Sequence, residues 1–254
     1  MQTTETAKTE KTTEAEEAKA TETFEQHAAE YDAWYDRNRP VYTSELLALK
    51  KFLPESLKGL KTLEIGVGTG RFTLPLGIGL GLDPARPMLE LAKKRGIEVL
   101  LGVAETLPFK PGTFDLVLIV TAIAFFRCPP GSLKEISRIL KPGGQVVIGM
   151  LDRESPLGQH YESKKRKNGF SSGANFLAAA EVEAYLWKLG FERLESCQTL
   201  SGIPEEMNTI ERAWPGTGKG GFAVLSAWKG RRNQRIQLSL PEVSSKSRAF
   251  GRKF

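Results

Sequence analysis

The sequence predicts an α/β protein with a doubly wound, mostly parallel seven-stranded sheet closed at one edge by an antiparallel pair. Three observations carry this. From Lys61 onward apolar strands alternate with amphipathic helices, the order that builds parallel sheets. Several strands, such as Leu116–Val120, are continuous apolar runs, as expected where helices cover both faces. The last two strands have no helix signal between them, which suits an antiparallel pair.

Residues 1–22 carry three Lys and six Glu among Thr and Ala, with Met1 the only large apolar residue. They bury too little to offset the entropy of ordering, so disorder or a fraying helix is expected. Order should begin at Thr23, which has capping-box spacing with Gln26. Phe24, Ala28, Tyr31, Trp34 and Tyr35 then recur at helical intervals. A second helix is expected around Tyr42–Phe52, with Leu46, Leu49 and Phe52 on one side. Strands are predicted at Thr62–Ile65, Ile78–Leu82, Ile97–Leu101, Leu116–Val120 and Gln145–Met150.

The helix from Pro84 to Arg95 ends in three cations that suit its dipole, and Gly96 breaks it. Ser132 and Glu135 have capping-box spacing for the next helix, whose Leu133, Ile136, Ile139 and Leu140 should face the sheet. Pro142-Gly143-Gly144 should end it. Asp152–Asn175 is a long polar stretch, followed by a helix near Ala180–Leu189 and strands at Phe191–Leu200 and Gly221–Trp228. The expected organisation is thus a segment 1–22, one domain over 23–229 with helices over 23–53 at its start, and a basic tail, 230–254.

The 254 residues, 40% hydrophobic, suffice for one substantial core. No apolar run reaches the roughly 18 residues of a spanning helix, and the N-terminus resembles neither a signal nor a transit peptide, so a cytoplasmic location is expected. The net charge of +6 lies mostly in the tail, whose seven Lys or Arg face one Glu. Cys128 and Cys197 have neither metal-ligand nor disulfide-framework spacing, and His27 and His160 are the only histidines, so no metal site is expected.

The central motif is Leu63-Glu64-Ile65-Gly66-Val67-Gly68-Thr69-Gly70, an apolar strand running into a turn with three alternate glycines. Such a turn brings backbone close to a ligand at the carboxyl edge of the sheet, or serves as a tight structural turn. Its spacing departs from the dinucleotide G-x-G-x-x-G, because position 71 is Arg. That disfavours a nicotinamide-dependent reductase. Asp83 closes the second strand, where an acid can accept from both hydroxyls of a ribose or cap the following helix.

Glu64 through Gly70, followed by Gly81-Leu82-Asp83-Pro84, resembles the first two motifs of class I S-adenosylmethionine-dependent methyltransferases. Ala104-Glu105-Thr106-Leu107-Pro108-Phe109 with Phe114-Asp115-Leu116-Val117 resembles the third, and Leu133 through Gly144 the fourth. The helix with Tyr31, Trp34 and Tyr35 is similar to that of the small-molecule (type 11-like) branch. The resemblance implies the Rossmann-like methyltransferase fold and S-adenosylmethionine as cofactor. It places Gly66, Gly68, Thr69 and Gly70 against the methionine part of the donor, Glu64 near its amino group and Asp83 on its ribose. Adenine would lie against Ala104 and Glu105, with packing from Met88 and Leu107. Many members have an acid before this Ala-Glu pair; here it is Val103.

Thr121, after the fourth strand, would also hold the donor. Tyr31 and Tyr35 would lid it, although an aromatic stripe is also what a plain core helix presents. Thr121-Ala122-Ile123-Ala124 does not resemble the Asn-Pro-Pro-Tyr motif of amide and adenine methylation, and neither cysteine has the setting of the 5-methylcytosine enzymes. The expected reaction is displacement at the methyl carbon by an oxygen or nitrogen of a small molecule. If a base is required, His160 is the candidate, against the plainer reading of a surface histidine. His27 reads equally as a packing residue. Lys164-Lys165-Arg166-Lys167 admits an anionic acceptor or a solvated basic loop. Two alternatives stay open: a non-catalytic binding module, and an RNA methyltransferase guided by the basic tail. Nucleic acid is otherwise disfavoured as a partner, and oligomeric state is not legible.

Overall fold

The computed structural model describes residues 21–164 and 173–231. The N-terminal segment expected to be disordered, Lys165-Arg166-Lys167 of the basic run, and all of the tail beyond Arg231 lie outside the described residues. Helix α1 runs through residues 21–37 and is followed by α2 (Arg39–Lys50). The sheet and its crossovers follow as β1 (Thr62–Ile65), α3 (Thr73–Leu76), β2 (Leu80–Asp83), α4 (Arg86–Lys94), β3 (Glu98–Leu101) and β4 (Phe114–Val120). Then come α5 (Pro129–Ile139), β5 (Leu140–Leu151), α6 (Pro156–Lys164), α7 (Ala179–Lys188), β6 (Phe191–Thr199), β7 (Trp214–Pro215) and β8 (Phe222–Lys229).

The strands form one eight-stranded sheet in the order β3-β2-β1-β4-β5-β8-β6-β7. The first five are parallel, while β8 lies antiparallel between β5 and β6. The expected antiparallel pair is therefore present, and the two-residue β7 adds an eighth strand too short for the sequence to signal. After β1 the chain winds outward through β2 and β3, then returns to the other side of β1 as β4. That reversal is a topological switch point, and it opens a crevice above the carboxyl ends of β1 and β4.

Both faces of the sheet are buried. On one, Val117, Ile119, Val146 and Ile148 pack with Leu133 and Ile136 of α5 and Val182 and Leu186 of α7. On the other, Leu116, Leu118, Val147 and Phe222 pack with Ala48 and Leu49 of α2 and with Tyr35 and Phe72. The odd–even split within β4 is the period-two alternation of a strand with two apolar faces. Fully enclosed side chains such as Phe222 each contribute about 1.5–3 kcal/mol of burial.

Several local expectations are corrected. Thr23 does not cap α1, which is already helical at residue 21, and Gln26 Nε2 donates to Glu22 Oε1 at 3.1 Å instead. Ser132 does not cap α5 either. The prolines at 129 and 130, preset for a first turn, start that helix after Cys128. Ser132 is already inside it, and Glu135 pairs with Arg138 at 2.7 Å. The helix ends at Ile139, because Leu140 pairs with Phe114 and the chain through Pro142-Gly143-Gly144 is extended into β5. The polar stretch after β5 contains α6, which lacks a clear apolar stripe. On α2 the buried residues are Val41, Ser44, Glu45, Ala48 and Leu49, so the face runs one step away from Leu46 and Phe52, which are only partly buried.

Candidate functional site

The turn after β1 needs glycine because its backbone passes close to two neighbours. Gly66 and Gly70 have φ of +75° and +82°. A Cβ on Gly66 would lie 2.2 Å from Ala122 Cβ, and one on Gly70 2.2 Å from Ile97 Cδ1. These two glycines therefore seat the turn against the chain after β4 and against the α4–β3 connection. Gly68, at φ +53°, differs: its Cβ would meet only Tyr31 Cε1, at 3.8 Å, and would occupy the crevice.

Asp83 ties this turn to the tip of β2. Its Oδ2 accepts from Gly68 N at 2.8 Å and its Oδ1 from Ala85 N, just ahead of α4, at 2.9 Å. Burial pushes its carboxyl up to about 6. Each oxygen retains a lone pair for a ligand hydroxyl. Asp83 is therefore not the cap of α4, which starts at Arg86 with Ala85 as its N-cap; it holds the turn ahead of the helix and remains open to a ligand.

The crevice is a cleft of about 750 Å³ lined by Gly66, Gly68, Asp83, Met88, Thr121 and the segment Val103-Ala104-Glu105. This lies in the range of small-molecule sites. Tyr31 and Phe24 of α1 close over it. Glu105 Oε1 accepts from Arg127 N at 2.9 Å and from Ser132 Oγ at 3.0 Å, which fastens the loop after β3 to α5. Thr121 has φ +55°, a left-handed conformation uncommon outside glycine and often found at functional sites.

A second cavity, about 1710 Å³ with its mouth, lies between α1, α2 and α6. Its walls include Trp34, Tyr35, Phe125, Leu157, Tyr161 and Phe176. Phe24, Tyr31, Thr121 and Phe125 line both spaces, so the two meet there. Tyr31 and Tyr35 share a hydrogen bond of 2.7 Å between hydroxyls, and the Thr121 side chain also bonds Tyr31. Burial pushes the Tyr31 hydroxyl up to about 12, so it stays protonated.

The structure brings Tyr31, Gly66, Gly68, Asp83, Met88, Ala104, Glu105 and Thr121 to the cleft, and Tyr35 to the second cavity. Five other candidates line neither, and Leu107, expected to pack on adenine, is one of them, buried in the core cluster with Ala104. Glu64 is buried behind the turn, where its carboxylate accepts from Thr73 Oγ1, and burial pushes it up to about 8. Gly70 packs on Ile97. Thr69 Oγ1 donates to Asp32 Oδ1 at 2.6 Å. His160 stands edge-on to Tyr161, centroids 6.0 Å apart, and the tyrosine rather than the histidine lines the cavity.

Two features escaped the sequence. Asp32 of α1 also accepts from Arg71 Nε at 2.8 Å and from an Arg95 guanidinium nitrogen at 2.7 Å, a latch that fixes the lid helix to the glycine turn. Burial works to raise the Asp32 carboxyl, but Arg71, Arg95 and Thr69 hold it well below the usual range. The second feature is Glu45, 5% exposed, lining the second cavity. Burial alone pushes it up to about 8. Its spacing, four residues from both Val41 and Leu49, puts it on the face of α2 that the structure shows to be covered.

A glycine turn, a ribose-ready acid at the next strand tip and a cleft at the switch point define a doubly wound protein that binds a nucleoside-bearing ligand. Comparison with known proteins narrows the class. Residues 63–148 match the family described as "Methyltransferase domain". A structure from Thermotoga maritima, described as a SAM-dependent methyltransferase and possible histamine N-methyltransferase, is 44% identical, with a TM-score of 0.78 over 83% of this chain and 99% of its own. An uncharacterised protein of Methanocaldococcus jannaschii is 43% identical over 81% of this chain and 98% of its own length. The demethylmenaquinone methyltransferase of Lactococcus lactis is 42% identical over 36% of this chain and 42% of its own. The chain belongs to the S-adenosylmethionine-dependent methyltransferases, as the motifs implied. It is an enzyme of that class with S-adenosylmethionine as its cofactor. No helix among the described residues is long and apolar enough to cross a membrane.

Proposed function

We propose that the chain transfers a methyl group to an oxygen or nitrogen of a small-molecule acceptor. The observation that carries this reading is the pair of cavities joined at Tyr31 and Thr121, one at the glycine turn and one walled by aromatic rings. A lidded, aromatic space suits a small acceptor better than an RNA groove does.

The donor fits the cleft. Gly68 leaves free the space that a Cβ would fill, and Asp83 offers its remaining lone pairs to ribose hydroxyls. Met88 and Val103-Ala104-Glu105 line the part suited to a flat apolar base. Glu64, Thr69 and Gly70 act behind them by holding the turn in place. When bound, the donor supplies a methyl group on a sulfonium, already a good leaving group. The chain's own work is then to position and to keep out water, and α1 with its Asp32 latch does both. His160 has no place in this scheme, since it does not reach the cavity.

Calorimetry tests the donor half. S-adenosylmethionine should bind at about micromolar Kd, about −8 kcal/mol. A panel of amines, alcohols, phenols and carboxylates tests the acceptor half. Methylation of RNA or protein with no small compound accepted would overturn the reading.

A further inference from the structure

The second cavity has one buried charge-bearing group. Among the described residues that line it, Glu30 and Arg37 are exposed near the end of α1 and Glu205 is exposed on a loop. Glu45 alone is buried, and no hydrogen-bond donor or cation of the described residues reaches its carboxylate. A carboxyl group so covered and without a protein donor costs stability, and packing alone gives no reason for it on a helix face otherwise made of Val41, Ser44, Ala48 and Leu49. It lies among aromatic rings, close enough to act electrostatically on the hydroxyls of Tyr31, Tyr35, Tyr42 and Tyr161. A carboxylate beside electron-rich ring faces is the environment that binds an organic cation.

We propose that this cavity receives a small amine bearing an apolar or aromatic group, with its ammonium held by the Glu45 carboxylate among the rings of Tyr31, Trp34, Tyr35 and Tyr161. The inference rests on the small-molecule reading above and deepens it by naming the acceptor class. It also gives Glu45 a chemical task. An ammonium cannot attack, because its lone pair holds a proton. Glu45 takes one proton from it, because a covered cavity without protein donors to the carboxylate favours the neutral acid–amine pair over the ion pair. The freed lone pair forms the N–C bond as the C–S bond breaks, with the bonding electrons remaining on sulfur. The product leaves as a methylated ammonium, and the Glu45 proton passes to solvent.

The test uses the full chain with S-adenosylmethionine and three probes of similar shape: phenethylamine, 2-phenylethanol and 3-phenylpropionate. The wild type should methylate phenethylamine at nitrogen with kcat/KM at least tenfold above either oxygen compound. Glu45→Gln should lower that value at least fiftyfold and leave S-adenosylhomocysteine affinity within twofold. Glu45→Leu should lose amine turnover while its ligand-free Tm rises, which a purely structural role for Glu45 would not produce.

Amine turnover within threefold of wild type in Glu45→Gln would overturn the proposal. So would a preference for the oxygen probes, or no binding of phenethylamine to the S-adenosylhomocysteine-loaded protein by calorimetry. Turnover of oxygen probes alone would sink the amine assignment and leave the small-molecule reading standing. Methylation confined to RNA or protein would sink both.

Discussion

The two halves of the site are built from different materials. The cleft proposed for the donor is floored by backbone and short side chains at or just past strand ends: Gly66, Gly68, Asp83, Ala104 and Thr121. The cavity proposed for the acceptor is made of large side chains drawn from α1, α2, α6 and the loops near Phe125, Phe176 and Glu205. The first is constrained by covalent geometry and close approach, the second by what those helices happen to enclose. A site of the first kind tolerates little change and identifies the cofactor. A site of the second kind is free to change with the acceptor.

Substitutions at the turn should therefore have the largest effect. Gly66→Ala forces a left-handed residue into the space of Ala122 Cβ, whose position the backbone fixes. A loss of about 3 kcal/mol is expected in urea unfolding, together with weakened donor binding. Near-wild-type stability would show that the turn has slack the geometry denies. Asp83→Ala comes next. It removes the acceptor for Gly68 N and for the ribose, so donor affinity should fall about 10- to 100-fold by calorimetry. Unchanged affinity would remove the ribose assignment.

The lid latch lies between the two halves. Asp32→Ala frees Arg95 and Thr69 from α1 and leaves Arg71 held through Asp36 and the residue-32 carbonyl, so KM for both donor and acceptor should rise several-fold, with a Tm decrease of a few degrees. Equal KM values would show that the Asp36–Arg71 pair and aromatic contacts such as Tyr35 on Phe72 at 5.6 Å suffice to hold α1.

The pH dependence separates the regions again. Glu45 and Glu64 are raised by burial from 4.5 to about 8, so the folded state binds more protons than the unfolded between those values. Stability of the ligand-free protein should fall as pH rises from about 4.5 to 8. Burial alone raises Glu45, and the hydroxyls it acts on, those of Tyr31, Tyr35, Tyr42 and Tyr161, do not titrate in that window, so Glu45→Gln should flatten the slope. Asp32 works in the opposite sense. Its depressed carboxyl contributes stability at neutral pH that is lost below about pH 4. A Tm that climbs steadily from pH 5 to 8 would contradict the burial of both glutamates.

The contrast also explains what the sequence could reveal. Strands β1 to β5 and the glycine turn were readable because continuous apolar runs, their alternation with helices and glycine spacing are local properties of the chain. Asp83 was readable because the strand tip places it. Glu45 was not, since nothing local distinguishes an acid on a covered helix face from one on a solvated face until the cover is known. The Asp32–Arg71 and Asp32–Arg95 contacts join α1 to chain 39 and 63 residues onward, and no spacing rule spans that interval. Helix α6 was hidden by its composition, in which Leu157 is buried while Gln159 is exposed and His160 only partly covered. His160 drew attention as one of two histidines, yet the helix turns Tyr161 inward instead.

A crystal structure with S-adenosylhomocysteine is the most direct test of the central claim, that the cleft at Gly68 and Asp83 holds the donor and opens onto the aromatic cavity. The ribose hydroxyls should lie within hydrogen-bonding distance of Asp83, the adenine against Met88 and Ala104, and the sulfur toward Thr121 and Tyr31. A ribose bound away from Asp83, or a sulfur sealed off from the cavity that contains Glu45, would contradict the account.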